Sequence, residues 1–270
     1  MRRAMIYCGE AAQGTQRRRQ LHVRGMHWIL LAALATPTPG MAGPPFVTDD
    51  PEPVEYGHWE INNALVGTLV QGGGSAALPW IDANYGLLPD VQLHVQPQLD
   101  YVRTEAGTEF GIGDRYRDRR EIQIDQGGRT GPDPDGQHLP TLRDPTGNHD
   151  RGLGDGVVRT FLPIWAEKTL GKWTVYGGGG FWINPGPAGK NAWFLGGVAL
   201  YQVTDNLQLG GEAFLQTAEA PGEKDAPGFN LGGSYALTQN LHLLFSAGQS
   251  LANQSTTNRF SNYLALQVTY

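Results

Sequence analysis

Phe260-Ser-Asn-Tyr-Leu-Ala-Leu-Gln-Val-Thr-Tyr270 alternates to its last residue. In an extended chain Leu264, Leu266, Val268 and Tyr270 share one face, and Ala265, Gln267 and Thr269 share the other. Chain ends ordinarily fray. A strand that runs to a final aromatic residue suits a segment that must be read during assembly and must close a barrel. Leu264, Leu266, Val268 and Tyr270 are therefore the expected assembly signal.

The same period of two recurs upstream. In Val91-Gln-Leu-His-Val-Gln-Pro-Gln-Leu-Asp-Tyr101, the apolar set Val91, Leu93, Val95, Pro97, Leu99 and Tyr101 alternates with Gln92, His94, Gln96, Gln98 and Asp100. Strands are expected near 59–69, 77–87, 91–103, 157–166, 172–183, 191–203, 206–217, 228–237, 240–250 and 259–270. A tilted strand needs about 9–11 residues to cross a bilayer, whereas soluble strands average about 5–6. The lengths favour a membrane.

The connections point the same way. Tyr85-Gly-Leu-Leu-Pro-Asp-Val-Gln-Leu93, Tyr201-Gln-Val-Thr-Asp-Asn-Leu-Gln-Leu209 and Tyr235-Ala-Leu-Thr-Gln-Asn-Leu-His-Leu243 each place an aromatic before a tight corner and a new alternating run. The opposite connections read as looser: Gln71 to Ser75, Asn184 to Lys190, and Glu219 to Gly228. Short periplasmic turns facing longer outer loops are a barrel trait, and the repeated tyrosines would form a periplasmic girdle. Two further strands within 104–154 would close the parity at 12. The expected fold is an antiparallel, transmembrane, up-and-down β-barrel of about 12 strands, apolar outside and polar within.

Composition sets the remaining bounds. Among 270 residues, 56 are Gly or Pro without a collagen period, and 26 are aromatic, which argues against disorder. The longest apolar run, Trp28 to Ala35, is too short for a membrane helix, which needs about 18 residues. With Arg17, Arg18, Arg19 and Arg24 ahead of it and Gly40-Met41-Ala42 behind, it reads as a signal peptide cleaved after Ala42. Residues 1–42 are then an extension and leader, 43–58 a periplasmic lead-in, and 59–270 the barrel. Met26 is an alternative start.

Six of the 20 Lys+Arg and one of the 26 Asp+Glu lie before residue 43, leaving 14 against 25 and a net charge of −11. Such acidity disfavours a nucleic-acid partner. The single cysteine, Cys8, falls in the leader, so disulfide scaffolds and cysteine-ligated metals are not expected.

Residues 114–144 break the pattern, with six Arg, clustered Asp and several Gly and Pro between Asp114 and Asp144. They are expected as a charged loop, a lumenal plug or a misread segment. Pro44-Pro-Phe-Val-Thr-Asp-Asp-Pro-Glu-Pro-Val-Glu-Tyr-Gly-His-Trp-Glu60, Leu93-His-Val-Gln-Pro97, Tyr176-Gly-Gly-Gly-Gly-Phe-Trp-Ile-Asn-Pro-Gly186 and Gly228-Phe-Asn-Leu-Gly-Gly233 together resemble the bacterial outer-membrane family named for the meta pathway of phenol degradation. The resemblance covers about 44–113 and 145–270. It implies a Gram-negative outer-membrane transporter of hydrophobic or aromatic compounds. It fails through 114–144, where the family would place a strand hairpin; two compensating frame errors would produce such a stretch, and re-sequencing tests this.

Catalytic chemistry finds little support. No histidine is followed two residues later by serine, and His242 and Ser246 would stand about 13 Å apart along a strand. Asp49 to Glu55 lacks the spacing and glycine of a calcium loop and reads as a solvated lead-in. Gly177 to Gly180 is followed by no helix, so it is not a phosphate loop; it either lets Trp165, Trp173 and Trp182 pack or leaves lumenal room. No catalytic residue, metal ligand or cofactor is expected. Gln92, His94, Gln96, Gln98, Asp100, Gln208, Glu212 and Gln216 are the candidate lumen-lining residues. Val91, Leu93, Leu264, Leu266 and Val268 should meet outer-membrane lipid. Expected partners are that lipid, the barrel-assembly machinery and a small solute. A channel is the leading expectation; a closed structural or adhesion barrel and a lipid-modifying enzyme are the alternatives.

Overall fold

Alternating side chains and closely spaced turns give a single antiparallel meander. The computed structural model describes residues 45–89, 91–113, 121–124, 141–143, 147–154, 156–186 and 189–270. Its strands are β1 (Trp59–Val70), β2 (Gly73–Leu88), β3 (Val91–Val95), β4 (Gln98–Thr104), β5 (Gly107–Gly113), β6 (Glu121–Ile124), β7 (Thr141–Arg143), β8 (Arg159–Leu170), β9 (Trp173–Ile183), β10 (Ala192–Thr204), β11 (Leu207–Gln216), β12 (Ala226–Ala236), β13 (Leu241–Ser250) and β14 (Phe260–Thr269).

Two pairs of these are one strand each in the sheet. Long β2 pairs with β4 along its first half and with β3 along its second; β5 pairs with β4, and β6 with β3. The expected strand 91–103 is thus interrupted at Gln96-Pro97, because proline has no N–H to give the ladder. Counted as lines, the sheet has 12 strands. The ladder runs from β7 through β8 to β14, on to β1 and β2, and ends at β5 and β6, with β6 beside β7. Both β6 and β7 fall inside 114–144; the rest of that segment lies outside the described residues.

The seam between first and last strands is fully formed. Glu60 to Leu69 of β1 pair with Thr269 to Phe260 of β14 in unbroken register, and Trp59 and Tyr270 exchange backbone hydrogen bonds of 2.7 and 3.0 Å. The C-terminal alternation thus becomes an ordinary barrel seam. Its faces separate as the sequence reading requires: Leu264, Leu266, Val268 and Tyr270 are exposed, while Tyr263, Ala265 and Gln267 are buried.

The three corners after Tyr85, Tyr201 and Tyr235 lie at one rim, together with the Leu170-to-Trp173 turn. Trp59 pairs across strands with Tyr85, and Trp173 with Tyr201, with ring centroids 4.7 and 4.9 Å apart. Toward the other rim, Phe181 and Trp193 meet at 4.8 Å. Eight residues separate Trp173 from Phe181, about 26 Å of strand, close to the roughly 25 Å apolar band of an outer-membrane barrel. Between the aromatics stand exposed Val175 and Leu195.

One connection differs from expectation. Gln71 to Ser75 is not a loose loop: β1 and β2 are joined by Gln71-Gly72 alone, and Gly72 has φ 78°. A two-residue hairpin needs left-handed backbone of this kind, which glycine adopts freely. Gly73, Gly74 and Ser75 therefore extend β2.

Candidate functional site

The inward face is set by register, because residues opposite one another across strands point the same way. In the first sector, His242, Gln267, Asn62 and Asp82 form one cross-strand row, and Glu60, Asn84 and His94 form the row beside it. All seven are buried. His94 is ion-paired with Asp82. Asn84 accepts from Gln92 Nε2 at 2.9 Å, and Gln98 Nε2 reaches Asp100 at 3.3 Å. The next row is apolar: Leu244, Ala265, Ala64 and Trp80, capped by Tyr263 edge-on to Trp80 at 5.7 Å.

The second sector, on β8–β11, departs from the expected polar interior. Phe161, Trp165, Trp182, Ala192 and Phe194 form a buried cluster, with Phe214 and Val47 against it. Phe161 stacks on Trp182 at 4.6 Å, and Trp165 meets Phe194 edge-on at 6.0 Å. Large and small residues alternate across strands here: Gly180 lies between Pro163 and Phe194, and Gly178 and Gly196 lie between Trp165 and Phe214. A Cβ on Gly180 would stand 2.5 Å from the Phe161 ring. The glycine run therefore makes room for aromatic rings, as one of the two sequence readings held for Trp165 and Trp182; Trp173 instead lies exposed at the rim. Arg159 closes the sector near its loop end, bonded to Asn184 and to Glu219 at 2.7 Å and lying 4.8 Å over Trp182.

Between the sectors runs a strap made by the chain's own residues Pro45 to Val54. The expected solvated lead-in does not hold for Pro45 to Pro51. Phe46 is 5% exposed, Thr48 0% and Asp50 4%. The reason is a set of specific partners. The Glu212 carboxylate accepts the backbone N–H groups of both Val47, at 3.1 Å, and Thr48, and also Asn230 Nδ2 at 2.7 Å. Ser246 Oγ donates to Pro45 O at 2.6 Å, and Val54 N–H donates to Gln92 Oε1 at 2.7 Å. Phe46 packs on Tyr176, Val198 and Leu200. Backbone shape matches: a Cβ on Gly196 would overlap Thr48 Oγ1, and one on Gly86 would overlap the Glu55 carbonyl. Glu52 already faces solvent, and beyond Val54 the segment is solvent-facing throughout, with Glu55, Tyr56 and His58 exposed.

Of the eight candidate lining residues, Gln92, His94, Gln96, Gln98, Asp100 and Glu212 are buried on the inward face. Gln208 and Gln216 are half-buried; Gln216 Nε2 donates to Glu219 at 2.9 Å near the loop end. Val91 and Leu93 are half-buried as well. The reading missed Glu60, Asn62, Asp82, Asn84 and Gln267, although Glu60-Ile-Asn62 and Asp82-Ala-Asn84 carry the same alternation. It also missed the strap, whose polar run of acids gives no sign of burial. Ser246, weighed as half of a catalytic pair, spends its proton on the strap.

An outer membrane channel from Pseudomonas putida F1, described as the COG4313 channel, superposes with a TM-score of 0.61 at 16% identity, over 82% of this chain and 98% of that one. The chain folds as an outer-membrane β-barrel. The barrel also aligns with the outer-membrane OmpT of Vibrio cholerae (13% identity, TM-score 0.37, 78% of this chain and 97% of that one) and with the DcaP channel of Acinetobacter baumannii (9%, 0.32, 82% and 100%). A scan of protein-family profiles finds no match to the barrel's sequence, and a search of curated proteins finds none.

Proposed function

We propose that the barrel is an outer-membrane channel for small aromatic solutes, and that it belongs to the meta-pathway family its motifs resemble. The observation that carries this reading is the two-sector interior. An aromatic wall of Phe161, Trp165, Trp182, Phe194 and Phe214 faces a wall of amides and carboxylates across the strap. A ring gains from the first by stacking and burial, and a hydroxyl finds acceptors on the second. A barrel of 12 strands is narrow beside the 16–18 strands of an open aqueous porin, which favours one small solute over bulk flow. Gln92, His94, Gln96, Gln98, Asp100, Gln208, Glu212 and Gln216 would line its path. No catalytic role is assigned to any residue.

Single-channel conductance of refolded residues 43–270, with and without a phenolic solute, tests the proposal. Discrete openings reduced by the solute are expected. A folded, heat-resistant, silent barrel would overturn it. The second reading, a closed structural barrel, draws on the tight interior: Asn62, Asp82, Gln267, Phe161, Trp165 and Leu244 are all 2% exposed or less. On that reading, charge reversal at Glu212 changes stability and leaves flux at zero.

A further inference from the structure

Tyr176 of β9, Val198 of β10, Glu212 of β11 and Asn230 of β12 form one cross-strand row on the inward face. Its left half is apolar, since Tyr176 and Val198 are 4% and 2% exposed and Leu200 stands one inward position along. Its right half is a carboxylate held by the Asn230 amide. The strap fills both halves at once. The Phe46 ring sits on Tyr176, Val198 and Leu200, and the next two backbone N–H groups, of Val47 and Thr48, sit on Glu212. What the row receives is an aromatic ring with hydrogen-bond donors beside it.

Building on the channel reading above, we propose that this row is the barrel's solute site and that the strap is its internal occupant. The ligand class follows from what the strap presents: a monocyclic aromatic carrying an O–H or N–H donor, such as a phenol or an aniline. Its ring would replace Phe46 and its donor would bond to Glu212. Binding then requires the strap to leave, so ligand affinity is lowered by the fraction of time the strap is seated. The same exchange opens the interior, because the strap is what joins the two sectors.

The chain supplies a lock for testing this. The position of a Cβ on Gly196 lies 3.1 Å from the Thr48 Cβ, near the roughly 3.5–4.5 Å of a disulfide. Thr48→Cys with Gly196→Cys in residues 43–270, which hold no other cysteine, would tie the strap down when oxidised and free it when reduced. The measurements are hydrogen exchange of residues 45–54 and entry of 4-methylphenol into liposomes carrying residues 43–270, counted above entry into protein-free liposomes, with toluene and cyclohexanol as controls.

In the unmodified protein 4-methylphenol should speed exchange in the strap; toluene, without a donor, should do so weakly, and cyclohexanol not at all. Phe46→Ala should lower the half-maximal 4-methylphenol concentration on the order of ten- to a hundredfold, the cost of unseating one buried ring. The oxidised double-cysteine protein should block entry, and reduction should restore it. If 4-methylphenol enters equally well with the strap locked or free, the site assignment fails while the channel reading stands. If nothing enters under any condition and the strap's exchange never changes, both fail.

Discussion

Replacing Glu212 with Gln changes one atom in size and shape and removes the charge on which the strap is seated. In the native barrel both carboxylate oxygens accept backbone N–H groups, from Val47 and Thr48, and one also accepts from Asn230. A glutamine can satisfy one strap N–H with its oxygen, but its amide nitrogen then faces the other as donor against donor. Hydrogen bonds to charged groups contribute about 1.5–3 kcal/mol, and an orphaned buried donor costs about 1–3 kcal/mol. Glu212→Gln should therefore weaken strap seating by about 2–4 kcal/mol. That is roughly a thirty- to thousandfold increase in its open population. The strands around Glu212 keep their ladders, so the loss is confined to the strap. Hydrogen exchange of residues 45–54, compared with that of β13 and β14, is the assay. Faster exchange in the strap with unchanged exchange in the strands is expected. Equal protection of Val47 and Thr48 in both proteins would refute the chelating role of Glu212, as would a uniform rise across the barrel.

Other substitutions report on other parts of the fold. Leu264→Arg, on the exposed face opposite Leu65 in the β1–β14 seam, should cost about 2–4 kcal/mol near mid-depth, measured as folding yield into lipid vesicles; an unchanged yield would place that face away from lipid. Trp182→Ala removes the partner of the Phe161 stack and should lower stability by about 3–5 kcal/mol in denaturant refolding. Gly180→Ala pushes a methyl group into the Phe161 ring and should cost about 1–3 kcal/mol by the same measurement, without altering strap exchange. Intact-mass measurement of protein recovered from the outer membrane should give a chain starting at Gly43, and any other start moves the cleavage site.

The exterior was legible because it obeys one rule. Period-two alternation in Leu264, Leu266 and Val268 and aromatic rims at Tyr85, Tyr201 and Tyr235 need no long-range knowledge. The interior obeys a second rule that the sequence conceals. Inward side chains are polar in one sector and aromatic in the other, and the choice depends on partners brought together only by register. Phe161, Trp182 and Phe194 alternate with outward Leu162, Phe181 and Leu195, so both faces read as apolar and the alternation vanishes there. Glu212 looked like one more lumenal carboxylate. Its task is set by Val47 and Thr48, more than 160 residues away along the chain. Proline and acids at 49–55 suggested solvent; burial arises from backbone N–H groups and Phe46, to which composition is blind.

The direction of the strap bears on how the protein matures. From Trp59 at the rim the chain runs inward, so that Pro45, bonded to Ser246 near the middle of β13, lies far inside. If residues 1–42 are a leader, as their sequence predicts, a precursor that seated its strap would have to accommodate 42 extra residues beyond Pro45. The described interior is already filled by side chains. On that expectation proteolytic processing would have to precede strap seating, and the protease that trims the leader would also set when the barrel's inside is finished.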